Sequence, residues 1–165
     1  MEKISSNEYQ VRLQKLKQLR EMGITPYADR FERTHTSKEA LVKGEKDTLR
    51  EVEAIVASPN KNSVSLAGRI MTFREHGKLT FAHIQDFTGK IQICWMKDWV
   101  GEKHYDFLKN LDVGDFIGVA GELFKTRHGE ITLLVNDTTM LSKALRHLPE
   151  KWHGLKDQET KYSQR

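Results

Sequence analysis

One cysteine, three prolines and the absence of any long apolar run set the first limits on this chain of 165 residues. The lone thiol, Cys94, has no partner for an internal disulfide and lies in a strand-like stretch, so a reducing compartment is expected. No hydrophobic segment reaches the roughly 20 residues needed to cross a bilayer. The opening MEKISSNEYQ lacks the apolar stretch of a secretion signal. A soluble, cytoplasmic protein with no membrane partner is therefore expected. There is no phosphate-gripping glycine loop, no nucleophile elbow and no metal-ligand spacing, and the seven histidines are scattered. His147 and His153 flank a late charged segment but make a poor zinc site. No catalytic residue, metal or cofactor is expected within this chain.

What is present describes an ordinary globular protein. Hydrophobic residues make up 38% and charged residues 30%, enough for one domain with a core and an appended segment. The formal net charge of +4 favours an anionic partner only weakly, since charge attracts phosphates without choosing a sequence.

Ser5 followed by Glu8 fits a helix start, and Val11, Leu13, Leu16, Leu19 and Met22 recur at helical spacing until Gly23 and Pro26. The polar side of this helix carries Arg12, Lys15, Lys17 and Arg20, either a solvated face or a basic flank against an RNA backbone. Thr36 with Glu39 and Thr48 with Glu51 would cap two further short helices, the second with Leu49, Val52, Ile55 and Val56 as its apolar stripe. The SPNKN stretch marks a boundary, so residues 1–62 are read as a helical extension.

From there the rhythm changes to period two. Strands are predicted over 63–74, 79–86 and 90–97, then a helix over 103–111, then strands over 116–125 and 130–135, with turns at His76-Gly77, Phe87 to Gly89, Asp112 to Asp115 and Arg127 to Gly129. Gly68, Gly118 and Gly121 fall inside strands, where a small barrel needs sharp bends. Three strands, a helix and two more strands is the order of a five-stranded Greek-key barrel of the oligonucleotide-binding (OB) type. The fold class is mainly β with added α, the barrel occupying 63–142. Residues 143–165 gain a proline and many charges, with Trp152 and Tyr162 as isolated rings and a helix expected from near Asp157. They read as a linker toward an absent further domain.

Alternation sorts the faces. Ile91, Ile93 and Trp95 form the inward set of the third strand, leaving Gln92, Cys94 and Met96 outward. In the second, Ala82 and Ile84 suit the core, which puts Phe81, His83 and Gln85 outside; the reverse, with Phe81 inside, remains open on pattern alone. An outward Phe81 would offer an unpaired base a stacking platform. The Gln92 amide carries both an acceptor and donors for a pairing edge, Arg74 can donate to a carbonyl or clamp a phosphate, and Glu130 would accept an N–H.

The segments GRIMTFREHGKLTFAHIQDFTGKIQ, GDFIGVAGELFKTRHGE and LPEKWHGLKDQETKYSQR resemble the N-terminal anticodon-binding domain of class II lysyl-tRNA synthetases, through nearly the whole chain. The barrel portion alone also suits the aspartyl and asparaginyl enzymes; the KTRHGE turn and HGLKDQE linker are similar to the lysine branch. The resemblance implies that Phe81 stacks on the central anticodon base, that Gln92 and Arg74 read that uridine, and that Glu130 serves the first anticodon position. It leaves His83 as a further contact. It also implies a lysine tRNA partner, and a complete homodimeric enzyme that uses ATP and magnesium on a separate class II catalytic domain. The chain alone would then be inactive and monomeric. Rival readings are a single-strand-binding module without sequence preference, or a protein-interaction barrel anchored by Phe81.

Overall fold

The computed structural model describes residues 2–23, 31–60 and 63–145. Strands β1 (Val64–His76), β2 (Leu79–Asp86), β3 (Gly89–Met96), β4 (Phe116–Lys125) and β5 (Ile131–Ser142) close into a barrel in the order β1-β2-β3-β5-β4. β3 meets β5 in parallel, and the other neighbours run antiparallel. Closure rests on the length of β1. Its first half pairs with β4 from Val64 to Arg69, its second half with β2 from Arg69 to His76, and a register shift between Ile70 and Thr72 marks the bend.

Alternation fills the interior as expected. Leu66, Ile70, Ile84, Ile93, Trp95 and Leu133 are buried in one cluster. All three in-strand glycines have steric reasons, Gly68 because a Cβ there would stand 2.9 Å from the Gln85 carbonyl oxygen. A Cβ on Gly121 would run into the Leu134 carbonyl oxygen at the β4–β5 register shift, and one on Gly118 would stand 2.6 Å from the Phe31 ring. Between β3 and β4 lie α4 (Lys97–Val100) and α5 (Glu102–Leu108). Tyr105, Phe107 and Leu108 of α5 join the core, and the Tyr105 hydroxyl is paired with Thr80 Oγ1 at 2.6 Å.

The N-terminal helix α1 spans Glu2–Glu21 and is followed by Gly23 at φ +80°. It begins before Ser5, so the expected cap at Ser5 and Glu8 lies inside the helix. The buried side is also rotated. Leu16 and Leu19 are covered, but Val11 and Met22 remain 52% and 41% exposed. In their place Arg12 turns inward, only 3% exposed, and donates to Glu8 Oε1 at 2.9 Å and to the carbonyls of Val113 and Ala144. Arg12 is thus a docking residue of α1 and not a basic flank open to RNA. Lys15 is likewise engaged, 2.6 Å from Asp112 Oδ1.

Helix α2 (Ser37–Lys46) starts at the expected Thr36/Glu39 capping box, with both reciprocal bonds formed. Helix α3 (Val52–Ala57) differs from expectation: Glu51 occupies the N-cap position and Thr48 lies outside the helix. β5 runs past 135 to Ser142, because Thr138 is tied to Trp95 Nε1 and His104 Nε2. Just beyond, the fully buried Lys143 Nζ lies 2.7 Å from Asp112 Oδ2 and from Asp115 Oδ2. Burial works to raise both carboxyls. It wins at Asp115, whereas hydrogen bonds from Lys143 and Lys15 hold Asp112 below its ordinary value. Pro26, His147, His153, Trp152, Tyr162 and the helix expected near Asp157 lie outside the described residues, as does most of the expected linker. Among the described residues no helix is long and apolar enough to cross a membrane.

Candidate nucleic-acid interface

Cross-strand partners share a face, and the registers of β1, β2, β3 and β5 place the candidate residues in two adjacent rungs on the outside of the barrel. One rung runs Arg74, Phe81, Cys94, Leu134. The next runs Thr72, His83, Gln92, Thr132. Two residues along a strand span about 6.6–6.8 Å, so the rungs lie within the width of one nucleobase. Arg74, Phe81, His83 and Gln92 are therefore brought together, with Glu130 at the entry to β5. Arg12 and Lys15 are bound up in the packing of α1, away from this group.

Phe81 lies outside the barrel core, as one of the two readings of the alternation required. It is half-buried, however, and packs against a second apolar cluster of Ile55, Cys94, Phe124 and Leu134. Helix α3 supplies Ile55 and holds it over the outer surfaces of β3, β4 and β5. The helix is held down by Arg50, two residues before its start, whose guanidinium forks onto Glu122 at 2.6 and 2.8 Å and also reaches the Ser58 carbonyl. The Arg50 hydrogen bond lowers the Glu122 carboxyl from its ordinary value. Beneath this cover burial pushes the Cys94 thiol up to about 12. Arg74 also meets the Phe81 ring, its guanidinium carbon standing 5.3 Å from the ring centroid.

Gln92 departs from the open amide expected. It is 3% exposed and donates from Nε2 to Thr132 Oγ1 at 2.9 Å. The Thr132 hydroxyl spends its hydrogen on the Glu130 carbonyl at 3.2 Å, so it accepts from Gln92 and fixes which way the amide points. This leaves the amide oxygen and one N–H as the floor of the second rung. His83 forms the wall. Its Nδ1 lies 3.0 Å from Thr72 Oγ1 and its Nε2 3.0 Å from Glu130 Oε2. Sequence reasoning missed this pairing and the α3 cover, since both join residues far apart in the chain. Among the described residues no three His, Cys, Asp or Glu side chains converge as a metal-ligand set.

A cation, a ring and a fixed amide on the outer face of a closed five-stranded barrel suit an unpaired base. Residues 64–141 match the tRNA anticodon family of OB-fold nucleic acid binding domains. The barrel belongs to that family. Over 155 residues the chain is 50% identical to the lysine–tRNA ligase of Carboxydothermus hydrogenoformans, covering 94% of this chain and 29% of that protein. It is 51% identical to the ligase of Bacillus cytotoxicus over 158 residues, 94% of this chain and 30% of the relative. For Bacillus subtilis the identity is 46% over 160 residues, 97% of this chain and 31% of the relative. The chain thus spans less than a third of the length of these relatives. An OB-fold nucleic acid binding domain accounts for an outer sheet face on which a ring, a cation and an amide lie side by side.

Proposed function

We propose that this chain recognises the anticodon loop of lysine tRNA as the anticodon-binding part of a lysine–tRNA ligase. The observation that carries this reading is the placement of Phe81, backed by Arg74, one rung away from the oriented Gln92 amide. The ring stacks on the central base of the loop. Gln92 presents its free oxygen and N–H to that base's pairing edge, matching the N–H and carbonyl of uridine. Arg74 donates to the same nucleotide or its phosphate, and Glu130 accepts from the first anticodon base. The lysine–tRNA ligases among the relatives favour the lysine branch over the aspartyl and asparaginyl one.

The complete protein, on this reading, activates lysine with ATP and magnesium on a catalytic domain outside this chain and transfers it to tRNA in the cytoplasm. ATP and magnesium belong to that domain, and no residue described here is assigned to them. The complete enzyme is a homodimer through its catalytic domain, and the isolated chain is a monomer that binds without catalysing.

The test is a titration of anticodon stem-loops by fluorescence anisotropy, comparing the lysine loop with loops changed at the central uridine. Tighter binding of the lysine loop is expected. Equal affinities would indicate a single-strand-binding module that stacks bases without reading them. Absence of binding at moderate salt would favour a protein partner for Phe81.

A further inference from the structure

For a neutral His83 ring, the hydrogen bonds of the Thr72–His83–Glu130 chain run in one direction. The His83 backbone N–H donates to Thr72 Oγ1 at 3.1 Å, so that oxygen already accepts one bond. Its single hydrogen is free for His83 Nδ1, 3.0 Å away. An ionised Glu130 carboxylate only accepts, so the bond between His83 Nε2 and Glu130 Oε2 at 3.0 Å needs the hydrogen on Nε2. A neutral Nε2–H ring satisfies every contact at once, and it then has no donor left for RNA.

Glu130 itself is anchored on two sides. Its backbone N–H donates to Thr126 Oγ1 at 3.1 Å, and its carbonyl accepts from the Thr126 N–H at 3.0 Å. Its side chain is 49% exposed, and Oε2 is the oxygen held by His83, whose own side chain is 26% exposed. Oε1 has no hydrogen-bond partner among the described residues and remains available to a ligand donor. An exposed glutamate held through only one oxygen suits recognition better than stability.

We propose that His83 is a positioning residue: relayed from Thr72, it aims Glu130 so that Oε1 accepts an N–H from a nucleobase. This rests on the RNA reading of the face and deepens it by assigning selection for a base with a ring N–H to the pair, with His83 itself not contacting RNA. Sequence reasoning had given His83 a contact of its own.

The experiment compares two lysine anticodon stem-loops, one with uridine and one with N3-methyluridine at the first anticodon position. The methylated base lacks the N–H. The chain should prefer uridine by about tenfold or more, the scale of a hydrogen bond to a charged group. His83→Ala should abolish most of that ratio, chiefly by weakening the uridine loop. His83→Gln, whose amide still offers Glu130 an N–H, should restore part of it. In a Glu130→Gln background, His83→Ala should change the ratio no further. Equal weakening of both loops by His83→Ala would mean that the ring touches RNA, and an unchanged ratio would mean that it aims nothing; either overturns the inference while the RNA reading stands. If the unaltered chain binds neither loop, the RNA reading falls and takes this inference with it. An RNA-free measurement checks the relay separately: ¹⁵N NMR should show neutral His83 as the Nε2–H tautomer, and the Nδ1–H form would overturn it.

Discussion

The guanidinium carbon of Arg74 lies 5.3 Å from the centroid of the Phe81 ring, on the outer face of the barrel. A cation against one side of a ring leaves the rest of its exposed surface for a flat partner, and a stacked base supplies one. Phe81→Ala is expected to weaken every anticodon loop by about 1–3 kcal/mol, roughly 5- to 150-fold, whatever its central base. Because Phe81 also packs on Leu134 and Cys94, Phe81→Leu serves as the control. It should keep most of the packing and still lose most of the stacking. A leucine variant that binds as tightly as the parent would remove the ring from the interface.

Gln92 should behave in the opposite way. Its amide is oriented by Thr132 and contributes an edge, not a surface. Gln92→Ala is expected to reduce preference for a central uridine while lowering affinity for mismatched loops much less. Anisotropy titrations with all four central bases measure both effects together. Unchanged selectivity in this variant would exclude Gln92 as the reader.

The sequence made the strands more legible than the surroundings of the site. β2 and β4 have the bounds predicted, since turns with Gly77, Gly89, Gly114 and Gly129 at positive φ delimit the strands and alternation is strict in β2. The second half of β5 was hidden because Asn136, Asp137, Thr138 and Thr139 are polar. Its place depends on pairing with β4 and on the bonds from Trp95 and His104 to Thr138. The inward turn of Arg12 was equally hidden. Helical periodicity marks a charged residue as solvent-facing unless distant carbonyls, here those of Val113 and Ala144, receive it. Phe81, Gln92 and Arg74 could be assigned a common face from alternation. The near-complete burial of Gln92 could not, because it arises across the parallel contact of β3 with β5.

Lys143 is the next test, of architecture instead of binding. Its ammonium sits between Asp112 and Asp115 with no solvent exposure. Lys143→Ala leaves a buried carboxylate uncompensated and should cost about 3–5 kcal/mol in urea unfolding at neutral pH. Lys43→Ala, which removes only the exposed ion pair with Asp47, should cost less than about 1 kcal/mol. The Lys143 deficit should shrink in acid. Asp115 is already raised by burial, so its folded form takes up a proton more readily than the unfolded chain, and falling pH favours the folded variant. A deficit that grows as the pH is lowered would contradict this account of the cluster.

Cys94 offers a probe of the α3 cover beside the proposed binding face. The thiol is buried with Ile55, Phe124 and Leu134, and its pKa is pushed up to about 12, so it should react with disulfide reagents only when α3 lifts. Arg50 and Glu122 are the latch. Glu122→Gln keeps the shape and removes the charge, and labelling of Cys94 should accelerate severalfold. The pH dependence has a definite sign. The Glu122 carboxyl is lowered from 4.5 in the fold, so its stabilisation is complete above that value and is lost as the pH falls through the lowered one. With 4,4′-dithiodipyridine, which reacts in mild acid, labelling of the parent relative to a free thiol should therefore rise as the pH drops below about 4.5. In Glu122→Gln that rise should be absent or much smaller, because the group that titrates is gone. Equal acid acceleration in both proteins would place the opening elsewhere, and equal labelling rates at neutral pH would show that the ion pair does not hold the helix.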